Sequence, residues 1–210
     1  MNILSDNVVI IDYQMGNLRS VQKAFEANNC NAIISNQHDI IKNADKIILP
    51  GVGSFKDGMR HLNDLNLIGI LNQEIISNKK PFLGICLGMH LIADKGYENG
   101  QTSGLSWLDA EVVKLKPTSK NLNIPHVGWN NVTYRKRNEL YKDVEDNHDF
   151  YFVHSYHLKT TEDVVSSTTN YGIDFISSIK KDNIYAFQFH PEKSQTSGLK
   201  IIKNFINVKV

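Results

Sequence analysis

Pro81-Phe82-Leu83-Gly84-Ile85-Cys86-Leu87-Gly88-Met89-His90 is the stretch whose reading decides the fold. A short apolar run ends in Gly-x-Cys-x-Gly, and apolar residues at helical spacing begin at once. That is the pattern of a strand-to-helix elbow, which lifts one reactive side chain clear of a sheet. Glycines two residues either side of Cys86 leave room for a tight turn and for close strand–helix contact. The sulfur would sit over the first turn of a helix, where unpaired N–H groups favour an anion. A buried strand whose cysteine merely packs fits the same ten residues, because unpaired cysteine is commonly buried. The remainder of the chain has to separate these readings.

Upstream, Asn7 to Asp12 is a continuous apolar run of strand length, suited to a buried parallel strand. A turn at Gln14-Met15-Gly16-Asn17 follows, and Leu18, Val21 and Phe25 then mark a helical face that ends near Asn28-Asn29. Ala32 to Ser35 and Lys46 to Leu49 read as further strands, with Asp39 as the cap of a short helical turn between them. Pro50-Gly51-Val52-Gly53-Ser54 then forms a loop able to turn backbone N–H groups toward a ligand. It is neither a full Walker loop nor Gly-x-Gly-x-x-Gly, so phosphate binding is a weak reading. Helical spacing returns between Leu67 and Ile76 and stops at Lys79-Lys80-Pro81. Four strands, the elbow strand included, thus lead up to the nucleophile, and ligands in such sheets collect at the carboxyl ends of the strands.

Downstream the pattern changes. Lys95 to Ser106 reads as a polar loop, and short β-like runs follow at 110–115, 127–134, 150–154, 164–169, 174–179 and 184–189. Such runs predict antiparallel additions to a parallel core, and residues 196–207 close the chain as a helix. The expected fold is α/β: a mostly parallel central sheet, helices on both faces and antiparallel β additions in the second half. Residues 1–210 are expected to make a single domain.

Lys+Arg 23 against Asp+Glu 22 leaves a net charge of +1, which argues for neither nucleic acid nor an anionic membrane as partner. No apolar run approaches the roughly 20 residues that span a bilayer. Met1 to Asn7 lacks the basic and apolar regions of a signal peptide. With only two cysteines, Cys30 and Cys86, a disulfide framework is not the organising principle, and a reducing cytoplasm is the expected location. Cys30, among asparagines between a helix end and a strand, reads as structural.

A cysteine nucleophile needs a proton carrier, usually histidine. Of eight histidines, His38, His61 and His148 have no companion feature. His154 and His157 have a spacing that metals sometimes use, but no third ligand is evident, so no metal is expected and no cofactor is called for. His190 differs: it ends the apolar run 184–189 and is followed by Pro191 and Glu192. Pro191 limits how Glu192 lies relative to the ring, and a carboxylate there can choose the tautomer and stabilise the imidazolium. Cys86, His190 and Glu192 make a set with each role filled.

These residues carry a resemblance. Gly84-Ile85-Cys86-Leu87-Gly88-Met89, Phe187-Gln188-Phe189-His190-Pro191-Glu192-Lys193-Ser194 and Pro50-Gly51-Val52-Gly53 resemble the class I, triad-type glutamine amidotransferases. Asp12-Tyr13-x-x-Gly16-Asn17-Leu18, Pro125-His126-Val127-Gly128-Trp129-Asn130 and Tyr151-Phe152-Val153-His154-Ser155-Tyr156 are similar to the subfamily of glutaminase subunits of imidazole glycerol phosphate synthase. Six motifs in order cover essentially the whole chain.

The resemblance implies that Cys86 attacks the side-chain amide of L-glutamine while His190 carries protons. It implies oxyanion donors at the backbone N–H groups of Val52 and Leu87, and a glutamine pocket lined by Gly53, Ser155 and Tyr156. It further implies a separate (β/α)8-barrel cyclase as partner in a heterodimer, seated near Asn17, Trp129 and Lys193, with ammonia passed on in histidine biosynthesis. One position departs from the family pattern, Gly-x-Cys-x-Gly-x-Gln, because His90 stands where the glutamine is usual. A shorter ring that can turn cationic near neutral pH is expected to weaken glutamine binding and make it pH-sensitive. The triad leaves the acceptor of the ammonia open, and a sugar amidotransferase of surface-polysaccharide synthesis would use the same chemistry. A cysteine peptidase or a module with a vestigial site fits the subfamily motifs and the complete triad less well.

Overall fold

A computed structural model describes residues 7–119 and 121–209. The signal-peptide reading of residues 1–6 lies outside the described residues. The first half alternates β1 (Val8–Ile11), α1 (Leu18–Glu26), β2 (Ile33–Ser35), α2 (His38–Lys42) and β3 (Lys46–Gly51). It continues with α3 (Phe55–Asp64), α4 (Leu67–Leu71), β4 (Phe82–Cys86) and α5 (Leu87–Leu91). The second half is mostly β: β5 (Ala93–Gly96), β6 (Thr102–Ser103), β7 (Leu108–Lys114), β8 (His126–Tyr134) and β9 (His148–His154). Then come β10 (Tyr156–Thr160), β11 (Val165–Asn170), β12 (Asp174–Lys181), β13 (Ile184–Phe187) and α6 (Gln195–Ile206).

Among the described residues these strands form two sheets. The larger has nine strands in the order β2-β1-β3-β4-β13-β12-β11-β8-β9, and the smaller has four in the order β10-β7-β5-β6. β2, β1, β3, β4 and β13 run parallel, and the rest of the larger sheet is antiparallel. The mostly parallel core with antiparallel additions is therefore as expected. Alternate residues of the parallel strands feed two cores: Val9, Ile11, Ile47 and Leu49 face one, and Val8, Ile10, Ile48, Leu83 and Ile85 the other. That double burial explains why the runs are continuously apolar instead of alternating. No helix of the described residues is long and apolar enough to cross a membrane.

Two local expectations need correction, and one helix was not anticipated. Lys95 to Ser106 is not wholly a loop, since it holds the end of β5 and all of β6, whose pairing Lys95↔Ser103 is too short to show a period. α3 was masked by the glycine-bearing loop before it, although Ser54 caps it by accepting from the Asp57 N–H (3.1 Å) and donating to the Asp57 carboxylate (2.7 Å). Asp39 lies in the first turn of α2 instead of capping it, and Gln37 holds the cap position. Cys30 is buried in the core, in agreement with a structural role.

Candidate active site

β4 gives way to α5 at Cys86, whose φ of +51° is left-handed in a residue that has a side chain. The flanking glycines permit this turn by their lack of bulk. A Cβ on Gly88 would stand 1.7 Å from the Leu49 carbonyl oxygen of β3, and one on Gly84 2.9 Å from the Gly88 carbonyl oxygen. Strand and helix approach each other at van der Waals limits, and the thiol is turned to the carboxyl end of the sheet. There Cys86 Sγ donates to the Val153 carbonyl at 3.8 Å and accepts from Gln188 Nε2 at 3.9 Å.

The second member arrives on the neighbouring strand. β13 runs parallel to β4 with Phe187 opposite Ile85, so His190, three residues past β13, comes to the same sheet end as Cys86. Its N–H donates to the Tyr151 carbonyl (2.9 Å). Ser194 Oγ donates to the His190 carbonyl (2.6 Å) and accepts from the Tyr151 N–H (3.0 Å), which ties the 190–194 turn to β9. His190 Nδ1–H donates to Glu192 Oε1 at 2.8 Å, with both side chains 3% exposed. The tautomer is thereby fixed, and Nε2 has no hydrogen-bond partner among the described residues. Burial opposes a charged ring, but Cys86 and Glu192 outweigh it and raise His190 to about 10. A cysteine beside a histidine ring that a buried carboxylate orients is the arrangement that serves nucleophilic catalysis.

A raised folded value contributes stability in full below the ring's ordinary 6.5 and loses it as pH climbs through about 10. Replacing Cys86 by Ala should therefore bring the His190 midpoint down, as read by NMR titration of the ring protons. It should also flatten the alkaline loss of thermal stability over that window. A His190 midpoint unchanged in the variant would show that Cys86 does not act on the ring.

A pocket of about 380 Å³ opens beside Cys86. Val52, Gly53, Leu87, His90, Ser155 and Tyr156, all expected at the site, line it, together with Ser54, Glu98, Pro125, Val153 and His154. Leu87 opens α5, so its N–H lacks an intrahelical acceptor. Val52 lies between Gly51 and Gly53 and is 42% exposed at the mouth. The 14–17 turn underpins that loop: a Cβ on Gly16 (φ +105°) would lie 3.0 Å from Gly51 Cα and 3.3 Å from Val52 N. Asn17 is exposed next to it, and its side chain caps α1 by accepting from the Ser20 N–H at 3.2 Å.

His90 does not behave as expected at neutral pH. Its Nε2 bonds Gln188 Oε1 at 2.8 Å. Burial pushes the ring down to about 4, against the Gln188 bond and with a further push from His157. A ring held this low does not turn cationic near neutral pH, and it reaches Cys86 through Gln188, whose Nε2 donates to the sulfur at 3.9 Å. His90→Gln should accordingly give KM–pH profiles parallel to the parent between about pH 6 and 8, the range over which ordinary histidines titrate. A KM that bends with pH only in the parent would restore the cationic reading.

Trp129, Tyr151 and Lys193 form one surface beside His190. Trp129 is 47% exposed, its ring stands 6.1 Å from Tyr151, and Lys193 Nζ lies 5.6 Å over the Tyr151 ring. The Tyr151 ring is in turn 6.4 Å from that of His190.

Several residues escaped the sequence reading. Glu98, hidden in the supposed loop, accepts from the Phe55 N–H (2.8 Å) and brings a carboxylate to the pocket. Tyr13 is fully buried, its hydroxyl standing 1.9 Å from where a Gly51 Cβ would be, and burial followed by Cys86 raises its pKa. Gln188 and Tyr13 both lie inside quoted motifs, but nothing in one sequence says which motif positions face the sulfur.

The family described as glutamine amidotransferase class-I matches residues 9–208. The imidazole glycerol phosphate synthase subunit HisH 1 of Campylobacter jejuni (strain RM1221) is 48% identical over 202 residues, covering 96% of this chain and 100% of that protein. Subunit HisH of Aquifex aeolicus (strain VF5) is 47% identical over 199 residues, covering 94% of each. Among solved structures, PurLQS from Thermotoga maritima superposes with a TM-score of 0.74 at 16% identity, covering 97% of this chain and 99% of that one. A structure described as a glutamine amidotransferase gives 0.72 at 14%, covering 96% and 100%. At such identities the superpositions speak for the fold alone, whereas the sequence matches span the motifs that build the elbow, the 190–194 turn and the pocket. The chain belongs to the class I glutamine amidotransferases and, within them, to the family of HisH subunits of imidazole glycerol phosphate synthase.

Proposed function

We propose that this chain is the glutaminase subunit of an imidazole glycerol phosphate synthase and that Cys86, His190 and Glu192 perform its chemistry. The observation that carries the reading is the buried His190–Glu192 bond of 2.8 Å, set at the same sheet end as a cysteine on a left-handed elbow. The Cys86 thiolate adds to the side-chain amide carbon of L-glutamine, and the carbonyl π electrons move to oxygen. The N–H groups of Leu87 and Val52 receive that oxyanion, and the loss of one such donor typically slows turnover by about 10²–10³. His190 Nε2 gives its proton to the amide nitrogen, the C–N bond breaks, and ammonia leaves a thioester. The neutral ring then takes a proton from water, hydroxide adds to the thioester, and the second oxyanion collapses to expel thiolate and free glutamate. Gly53, Ser155 and Tyr156 border the bound substrate, and Glu98, the one carboxylate among the lining residues, complements its α-ammonium group.

Ammonia is mostly protonated in neutral water and no longer nucleophilic, so it has to pass directly to an acceptor. A (β/α)8-barrel cyclase seated over Asn17, Trp129 and Lys193 would receive it. Exposed Trp129 next to Lys193 and Tyr151 supports that seat, because aromatic anchors dominate interface energetics. Trp129→Ala should weaken cyclase binding at least about tenfold, as hot-spot truncations do. It should change stability by no more than about 0.5 kcal/mol, as for a surface position. Calorimetric titration and a melt check both, and unchanged affinity with a large drop in Tm would place Trp129 in the core instead. A catalytic thiol that has to stay reduced suits the cytoplasm.

The test of the function is glutaminase assay of the purified chain with and without the cyclase subunit that co-purifies with it. Equimolar glutamate and ammonia, formed faster with the cyclase, are expected. No ammonia release from glutamine in the assembled complex would overturn the reading.

A further inference from the structure

Behind the pocket lies a buried chain of side chains that the chemistry above does not use. β8 and β9 pair with His126 opposite His154. His154 Nδ1 lies 2.8 Å from the Tyr156 carbonyl oxygen, which only accepts, so Nδ1 carries the proton and Nε2 is bare. His126 Nδ1 is 2.9 Å from that bare nitrogen and must therefore donate to it. His126 Nε2 is bare in turn and accepts from Asn130 Nδ2 at 3.3 Å, while the same amide donates to the Asn170 carbonyl at 2.9 Å. Each partner dictates the next, and no tautomer is left free. Both rings are buried, and burial pushes His126 down to about 4 and His154 to about 3, so the chain is uncharged at neutral pH.

The place where it ends gives it a consequence. Ser155 is the single residue between β9 of the larger sheet and β10 of the smaller, and this sheet-switching corner is a wall of the pocket at Cys86. The His154 ring spans the corner to Tyr156. Pro125, beside His126, lines the pocket from the other strand.

We propose that His126 and His154 are positioning residues for substrate binding: their hydrogen-bonded chain holds the Ser155–Tyr156 corner in the shape that receives glutamine. His126 acts only through His154, and neither ring takes part in proton transfer. This rests on the glutaminase reading. The chain predicts that the donor at His126 Nδ1 matters more than the ring. In His126→Phe the ring still stacks between Phe152 (5.0 Å) and Tyr171 (4.0 Å), but the donor is gone. His126→Asn keeps an N–H close to the Nδ1 position and loses the ring.

The experiment is steady-state glutaminase kinetics of parent, His126→Phe and His126→Asn, each in complex with the cyclase subunit. For His126→Phe, KM for glutamine should rise about tenfold, the scale of one buried hydrogen bond, with kcat within about twofold. His126→Asn should return KM to near the parent. A parent-like KM in His126→Phe, or the same rise in both variants, would overturn the proposal. If His126→Phe does not fold, Asn130→Ala decides from the half-buried outer end: a raised KM with parent-like kcat is expected, and an unchanged KM overturns it. A parent without glutaminase activity would defeat the functional reading as well, whereas an active parent with indifferent variants defeats only the relay.

Discussion

Cys86→Ala should lower glutamine turnover by at least about 10⁴-fold, the scale on which a triad loses its nucleophile. The fold should survive, because the sulfur's hydrogen bonds among the described residues are long, 3.8 Å to the Val153 carbonyl and 3.9 Å from Gln188 Nε2. Alanine at a left-handed φ meets the strain that cysteine already tolerates there, so Tm should stay within a few degrees. Replacing Cys30, which is buried and does not line the pocket, should leave turnover near normal. Turnover at the parental rate in Cys86→Ala would remove Cys86 as nucleophile, and loss of activity on replacing Cys30 with the fold intact would point to the wrong thiol.

The elbow's geometry makes the second large effect structural. Gly88→Ala puts a methyl 1.7 Å from the Leu49 carbonyl oxygen and 2.8 Å from its carbon, both backbone atoms of β3. Neither can yield by rotating a side chain, so α5 has to lift from the sheet and carry the Leu87 N–H and Cys86 with it. We expect at least about 3 kcal/mol of destabilisation, at the upper end of overpacking effects. For a chain of this size that is roughly 6–12 °C in Tm, with activity falling as well. Gly69→Ala is the control, since nothing lies within 4 Å of its added carbon and alanine is the better helix former. It should melt at or above the parent. A Gly88→Ala protein that melts like the parent would mean the elbow is not packed as described.

The elbow marks which parts of the fold were legible. Gly-x-Cys-x-Gly reported the elbow because steric exclusion acts over neighbouring residues and leaves a local mark. The buried strands β1, β3 and β4 were legible for a similar reason: burial on two faces forces continuous apolar runs. β6, two residues long, and the sheet switch at Ser155 have no such period, because pairing between distant segments sets them. The His190–Glu192 pair could be read since His190, Pro191 and Glu192 are adjacent in sequence and the Nδ1–carboxylate bond is local. Glu98, Gln188 and the His126–His154 pair were not, because their partners lie between 28 and 102 residues away. His90 illustrates the limit most sharply. It lines the pocket beside Cys86, yet its charge state depends on Gln188 and on burial, which only tertiary structure supplies.

The central claim, a glutamine pocket served by a Cys86 nucleophile, is tested most directly by an electrophilic affinity label. The chain, with its cyclase subunit, is incubated with a glutamine analogue that carries a diazoketone in place of the side-chain amide, and the labelled peptides are mapped by mass spectrometry. A single adduct on Cys86 is predicted, forming in step with loss of glutaminase activity and slowed by added glutamine. Inactivation with the adduct on another residue, or an unlabelled Cys86 in an active complex, would contradict the account.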